Sequence, residues 1–267
     1  MDTLIKLGTI ILLLFLIIFP VYQIFKHKSG AKYNKSLFRT RTIDERTTDI
    51  PLEGSITAAS YVLTYSTTWS TPSFDFPKLY LMKWFAEGRT ELRDGLIAFT
   101  DMAAPKDKFE KDYYKIFMDA CGEDRVIHKG RDVFLAFDSY SQKDHKGDSL
   151  LDIQMNWFKK HGYIEKEKLV VPLLTETGAA EARKVISLRN YLQDVAAGTE
   201  KLTRNNGHLK DYLAYACLFE IGNKFKETLE DVLPDDIKEY YDKAVILAKA
   251  AYDGLNDITD GLEYDDD

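Results

Sequence analysis

Cysteine is scarce in this chain: Cys121 and Cys217 are the only two among 267 residues. They stand far apart, each inside an apolar pattern. Buried free thiols in a reducing compartment fit that placement, and a single disulfide between them is the alternative. No CxxC and no Cys/His cluster offers ligands to zinc. The five histidines are His27, His128, His145, His161 and His208, and none has a partner at HExxH spacing. "GDSLL" from Gly147 is not a Gly-x-Ser-x-Gly elbow, and no glycine-rich loop is shaped for phosphate. The acidic stretch "EDVLPDDIKE" lacks the alternating ligands and turn glycine of a calcium loop. These absences leave no cofactor, metal or catalytic set to assign, and the chain is read as a non-enzyme.

Positive charge is also short. The net charge of −7 argues against a protein that coats nucleic acid, because phosphates reward a basic surface. The charge is unevenly placed. From Lys26 to Arg46 there are seven Lys/Arg against Asp44 and Glu45, whereas acids dominate from Glu227 to the closing "EYDDD".

What the chain has in strength is one long apolar run. "LGTIILLLFLIIFPVYQIF", Leu7 to Phe25, is nineteen residues without a charge. As a helix it spans about 28 Å, the thickness of a bilayer's hydrocarbon layer. Pro20 kinks its last third, and Tyr22 and Gln23 suit an interface. A cleaved signal peptide is the competing reading. It would have a shorter apolar core and a small-x-small site, where "PVYQIFKHKSG" stands instead. Lys6 alone precedes the run, while Lys26, Lys28, Lys32, Lys35, Arg39 and Arg41 follow it. That bias predicts a single-pass anchor with the large C-terminal body in the cytoplasm. The same six cations are candidate contacts for anionic lipid headgroups, at about 1 kcal/mol each near the surface, or they serve only to set topology.

The remainder predicts an α+β body, mostly helical. Residues 26–50 read as a basic juxtamembrane linker without periodicity. Pro51 to Gly54 read as a turn, followed by a helix capped by Ser55 or Thr57 with Ala58, Ala59, Val62 and Leu63 on one face. A helix from Pro77 to Ala86 follows, ended by Gly88, then two short strands joined at Asp94-Gly95. "KFEKDYYKIFMDAC" is a helix by its spacing, "VFLAFDSY" a strand candidate, and "GDSLLDIQMNWFKKHG" a helix with Leu150, Ile153, Trp157 and Phe158 on its core face. "YIEKEKLVVPLLT" then repeats strand, turn and strand, with the turn at Lys166 to Lys168. Three long helices are expected after Thr177: through "TGAAEARKVISLRNYLQDVAAG", "HLKDYLAYACLFEIGNKFKETLEDVL" and "DDIKEYYDKAVILAKAAYDGL".

Met82, Trp84, Phe85 and Gly88 match Met155, Trp157, Phe158 and, with a one-residue slip, Gly162. Helix, glycine and hairpin therefore recur, as in a winged-helix unit. The expected organisation is a short N-terminus (1–6), the transmembrane helix (7–25), the linker (26–50), a first winged-helix-like unit (51–104), a second (105–176), a helical subdomain (177–262) and an acidic tail (263–267). A base-stacking platform would need exposed aromatics among cations. Trp84 and Trp157 fall on apolar stripes instead, which places them in the core. The candidate nucleic-acid contacts are Lys159, Lys160, Lys166 and Lys168 beside the second copy, against only Lys78 and Lys83 beside the first.

Leu174 to Leu192 and Tyr212 to Phe225 carry a further pattern. The first is a Thr-x-x-Gly turn entering a Leu-x-x-Tyr-Leu helix; the second is Tyr-Leu-x-Tyr-Ala followed by a small-residue helix ending at an aromatic. With the anchor, the basic linker and "IPLEGSITAASYVLTY", nearly the whole chain resembles the cytoplasmic half of the bacterial YciQ-like predicted membrane proteins, a family defined as a domain of unknown function. Members typically carry a secreted β-sandwich before the anchor, and often further membrane segments after the second hairpin unit. This sequence shows neither, and reads as a truncated product, a fragment or a reduced member. The resemblance implies a bacterial membrane location and brings no catalytic residues.

The function expected from all this is membrane-anchored docking or scaffolding through a protein partner and membrane lipids, with no cofactor. A membrane-tethered winged-helix transcription regulator is the alternative. A reporter fused to the C-terminus is expected to be active only inside the cell; activity only outside would overturn the orientation.

Overall fold

The computed structural model describes residues 43–66, 75–141, 150–166, 173–202 and 207–256. Those residues form a mostly helical α+β body with nine α-helices and two separate two-stranded antiparallel sheets. The expected anchor Leu7–Phe25 and the cations Lys26, Lys28, Lys32, Lys35, Arg39 and Arg41 lie outside the described residues. Among the described residues, no helix is long and apolar enough to cross a membrane.

Helix α1 (Ile56–Ser66) starts where the Ser55 hydroxyl accepts the Ala58 amide at 3.2 Å, and it buries Ala58, Ala59, Val62 and Leu63 as its spacing predicts. Helix α2 (Phe76–Ala86) is capped by Asp75 with Pro77 in its first turn. Apart from Lys78, Lys83 and Ala86 its residues are buried, so it runs through the middle of the body. Its far end is gripped on both sides. Phe85 stacks on Tyr240 with centroids 3.9 Å apart, and the Lys210 ammonium lies 3.7 Å from the centre of the same ring.

Each helix–glycine–hairpin passage is built the same way. After α2, Gly88 takes φ +74°; Arg89 donates to the Trp84 carbonyl at 2.8 Å and Gly88 to that of Phe85 at 3.2 Å. Strands β1 (Thr90–Arg93) and β2 (Leu96–Phe99) follow, joined by Asp94 and Gly95 at φ +55° and +75°. Two positive φ values make a two-residue turn whose twist suits a hairpin. Helices α3 (Lys108–Asp119), α4 (Gly130–Ser141) and α5 (Leu150–Lys160) come next. After α5, Gly162 takes φ +68°, with Tyr163 on the Phe158 carbonyl at 2.9 Å and Gly162 on that of Lys159 at 3.0 Å. Both ends are Schellman caps, which need a residue free to adopt the left-handed region. Strands β3 (Ile164–Lys166) and β4 (Leu173–Leu174) pair beyond it; the turn expected at Lys166 to Lys168 lies largely outside the described residues.

Two expectations are corrected. "VFLAFDSY" is not a strand but the body of α4. Val133 and Phe137, one helical turn apart, are the residues it buries, and Phe137 meets Phe117 edge-on at 5.1 Å. A short apolar run reads equally as strand or helix, and here packing decides. Gly254 lets the partner helix come very close: a Cβ there would sit 2.3 Å from the Phe134 carbonyl oxygen. The second correction concerns the expected long helix from His208 to Leu233. It is broken into α7 (Leu209–Leu218) and α8 (Gly222–Thr228), after the uninterrupted α6 (Glu176–Ala196) and before α9 (Asp235–Asn256). Glu220 makes the break at φ +61°, with Ile221 on the Ala216 carbonyl at 2.9 Å and Glu220 on that of Cys217 at 3.0 Å. This is the same cap as at Gly88, formed without a glycine.

The end of the basic linker is fixed to the body. Asn190 donates to the Ile43 carbonyl at 2.8 Å, Arg46 pairs with Asp194 at 2.8 Å, and the hydroxyls of Tyr212 and Tyr215 reach the carbonyls of Thr48 and Pro51 at 2.8 and 3.1 Å. One hydrophobic cluster then runs from Leu52 to Ala251, joining the first helix–hairpin unit to the C-terminal helices.

Because an L-residue in the left-handed region costs about 1–2 kcal/mol and glycine pays almost nothing there, Glu220→Gly is expected to raise stability by about 1 kcal/mol. Urea unfolding should show a higher midpoint at unchanged slope; a lower midpoint would mean that the Glu220 side chain stabilises the break by contacts of its own.

Candidate functional site

Three elements and one turn converge on an open cleft of about 730 Å³. The C-terminal turn of α2 brings Lys83, Glu87 and Arg89. The segment from Met102 to Asp107 and the first turn of α3 bring the floor, including Glu110. The last turn of α5 brings Trp157, Lys160 and His161. The turn before α1 brings Glu53.

At the base lies a buried carboxylate. Glu110 is only 4% exposed, placed by the cap of α3, where Asp107 accepts the Glu110 amide at 3.0 Å. Lys83 reaches both Glu110 oxygens at 2.8 Å, and the Trp84 indole donates to one of them at 2.9 Å. Lys83 also meets Glu87 at 2.7 Å, and Glu87 meets Arg89 at 2.5 Å. The Arg89 guanidinium in turn donates to the Ala103 carbonyl, tying the floor segment to α2. Burial pushes the Glu110 carboxyl above the usual range, against the pull of Lys83. Burial also works against the Lys83 ammonium, but Glu110 and Glu87 outweigh it and hold lysine's pKa above its ordinary value. For Glu87 the desolvation is outweighed by Lys83 and Arg89, and its carboxyl sits low.

The wall is aromatic and charged. The His161 ring stacks on the Trp157 indole with centroids 3.8 Å apart. Its Nδ1 donates to the Trp157 carbonyl at 2.7 Å, which closes the end of α5, and its Nε2 lies 3.7 Å from Glu53. Glu53 stands on a left-handed turn: Leu52, Glu53 and Gly54 have φ +53°, +53° and +77°. Two consecutive L-residues there are strained. The turn is held by Glu181, which accepts the Leu52 amide at 2.9 Å, and by complete burial of the Leu52 side chain. It presents the Glu53 side chain, 70% exposed, between the cleft and a second cavity of about 320 Å³ lined also by His208, Asp211 and Tyr215. At the rim, Lys106 and Lys160 are exposed and have no ion-pair or hydrogen-bond partner among the described residues.

Trp84 lies wholly in the core, as its spacing predicts. Trp157 is half-buried: it packs on Phe158 and Tyr163 and also lines the cleft. Lys159 and Lys160 project from the last turn of α5, both exposed; Lys166 ends β3, and Lys168 lies outside the described residues. Lys83, beside the first copy, is unavailable to a phosphate because two carboxylates enclose it. Glu87, Arg89 and Glu110 escaped sequence reading. The Asp-x-x-Glu spacing of Asp107 and Glu110 is a helix-start signal that could have flagged Glu110. Cys121 and Cys217 are free thiols, and burial pushes each up to about 12. Among the described residues no group of three His, Cys, Asp or Glu could hold a metal ion.

Lys83→Met would strand the Glu110 charge in the interior, and removing one partner of a buried pair costs about 3–5 kcal/mol. The sign with pH follows from linkage. A carboxyl whose folded pKa is raised supports stability when protonated and loses that support as pH rises through the folded value. The loss in Lys83→Met should therefore be large at neutral pH and shrink on acidification, and Lys83→Met combined with Glu110→Leu should recover most of it. Urea titrations across pH check this; a loss independent of pH would contradict it.

No family model matches the chain, and no curated protein or solved structure matches it either, so the geometry of this cleft carries the functional reading.

Proposed function

We propose that the chain is a membrane-anchored docking or scaffolding protein whose cytoplasmic body receives a protein partner in the cleft between α2, α3 and α5. The observation that carries this is the half-buried Trp157 beside the uncommitted rim cations Lys106 and Lys160. Binding energy at protein interfaces concentrates in aromatic anchors within partly desolvated pockets, and charged rims steer and select the partner. Anchoring rests on Leu7–Phe25 and its flanking charges, with Lys26, Lys28, Lys32, Lys35, Arg39 and Arg41 as the lipid contacts. The resemblance to the YciQ-like membrane proteins supports the same location at a bacterial membrane.

A second reading keeps the two helix–glycine–hairpin passages as winged-helix-like units, one of them on DNA. The exposed Lys159 and Lys160 favour it. The net charge of −7 and the enclosure of Lys83 weigh against it.

Affinity capture of the full chain from cross-linked membranes tests the docking reading. A partner held by the wild type should be lost with Trp157→Ala and with the surface change Lys160→Glu. A partner retained by both variants would remove the cleft from the interface. A salt-dependent shift of duplex DNA that Lys159→Glu and Lys160→Glu abolish would favour the regulator instead.

A further inference from the structure

Resting on that docking reading, we propose that the cleft takes an acidic peptide segment of the partner, its backbone carbonyls received by the amides of the floor segment and its carboxylates by Lys106 and Lys160. The argument starts from which charges in the cleft already have partners. Glu110 and Glu87 are engaged by Lys83 and Arg89. Asp107 caps α3 and accepts the Thr57 hydroxyl at 3.3 Å. Glu53 faces His161. Lys106 and Lys160 alone among these lining charges make no ion pair or hydrogen bond with the described residues. In a protein of net charge −7, these two unpaired lysines outnumber the one exposed carboxylate at the rim, Glu53, so the balance there is positive and an acidic segment is drawn to it.

The floor supplies the second half of the recognition. The amides of Ala103, Ala104 and Lys106 make no hydrogen bond within the described protein. Ala103 and Ala104 are exposed and carry only methyl groups, and buried Pro105 seats the segment. Arg89 holds the Ala103 carbonyl, which ties the segment to α2. Donors without acceptors suit a peptide backbone, which offers a carbonyl at every residue, and reception by main-chain donors is an established mode of peptide capture. An aromatic side chain on the same segment would lie against the Trp157 indole. A phosphodiester strand would also answer the two lysines, and the oligothymidylate arm of the test separates it from a peptide.

The test uses the full chain in nanodiscs of zwitterionic lipid and a fluorescein-labelled octapeptide alternating glutamate and tyrosine, followed by anisotropy. Saturable binding is expected. It should weaken by about 10-fold or more with Lys106→Glu plus Lys160→Glu, as loss of two charge-assisted contacts requires, and by a few-fold with Ala104→Pro, which removes one floor amide without altering charge. The same peptide with lysine in place of glutamate should not bind. No saturable binding, equal binding of the lysine peptide, or binding of oligothymidylate in preference to the acidic peptide would each overturn the assignment. If partner capture still depends on Trp157 and Lys160 while the acidic peptide fails to bind, the docking reading stands and the peptide chemistry falls.

Discussion

A carboxylate taken out of water needs nearly every one of its lone pairs answered, and Glu110 sets that demand at the base of the cleft. Two bonds from Lys83 and one from the Trp84 indole meet it. Those two donors are neighbours on α2, so the helix can turn only one face toward α3. The rotation of α2 about its axis is thereby fixed, and with it the direction in which Phe85, one residue further, meets Tyr240 and Lys210. An apolar interface alone would tolerate sliding; a buried, hydrogen-bonded charge tolerates far less. The ion-pair chain from Glu110 through Lys83 and Glu87 to Arg89 then leads out of the core to the cleft floor, so interior and site share one polar network.

Much of the architecture was legible because its signals are local. A glycine after an apolar helix fixes a cap in both helix–hairpin passages, and in the first of them Asp94-Gly95 fixes a tight turn as well. The helices that follow Asp75, Asp107 and Thr175 were readable from their apolar spacing, although these capping residues were not picked out. The break at Glu220 was not, because the cap is made by a residue type that rarely adopts that conformation. Just beyond the break the packing is tight: a side chain at Gly222 would come within 2.8 Å of the Cys217 sulfur and 2.9 Å of the Tyr241 hydroxyl. The strand reading of "VFLAFDSY" failed similarly, since the helix is selected by close contact with a segment more than a hundred residues later.

The site was less legible than the fold. Lys83 and Glu110 stand on different helices, and nothing in the composition of either one names the other. Trp157 was readable as an apolar-face residue, and that is half of what it is; the other half depends on His161 and on the turn at Glu53. What assembles the cleft is the packing of α2, α3 and α5 around α1. A reading along the chain finds its parts without their common face.

The attachment of the chain's entry has a mechanical meaning. Ile43, Arg46, Thr48 and Pro51 are held in order by Asn190, Asp194, Tyr212 and Tyr215, and the left-handed turn follows immediately. Tension arriving through the preceding residues meets these bonds one after another, as in peeling a strip from a surface. The outermost must yield before the next bears load. The strained turn, and Glu53 upon it, stand last in that series and are shielded from forces that the earlier bonds absorb.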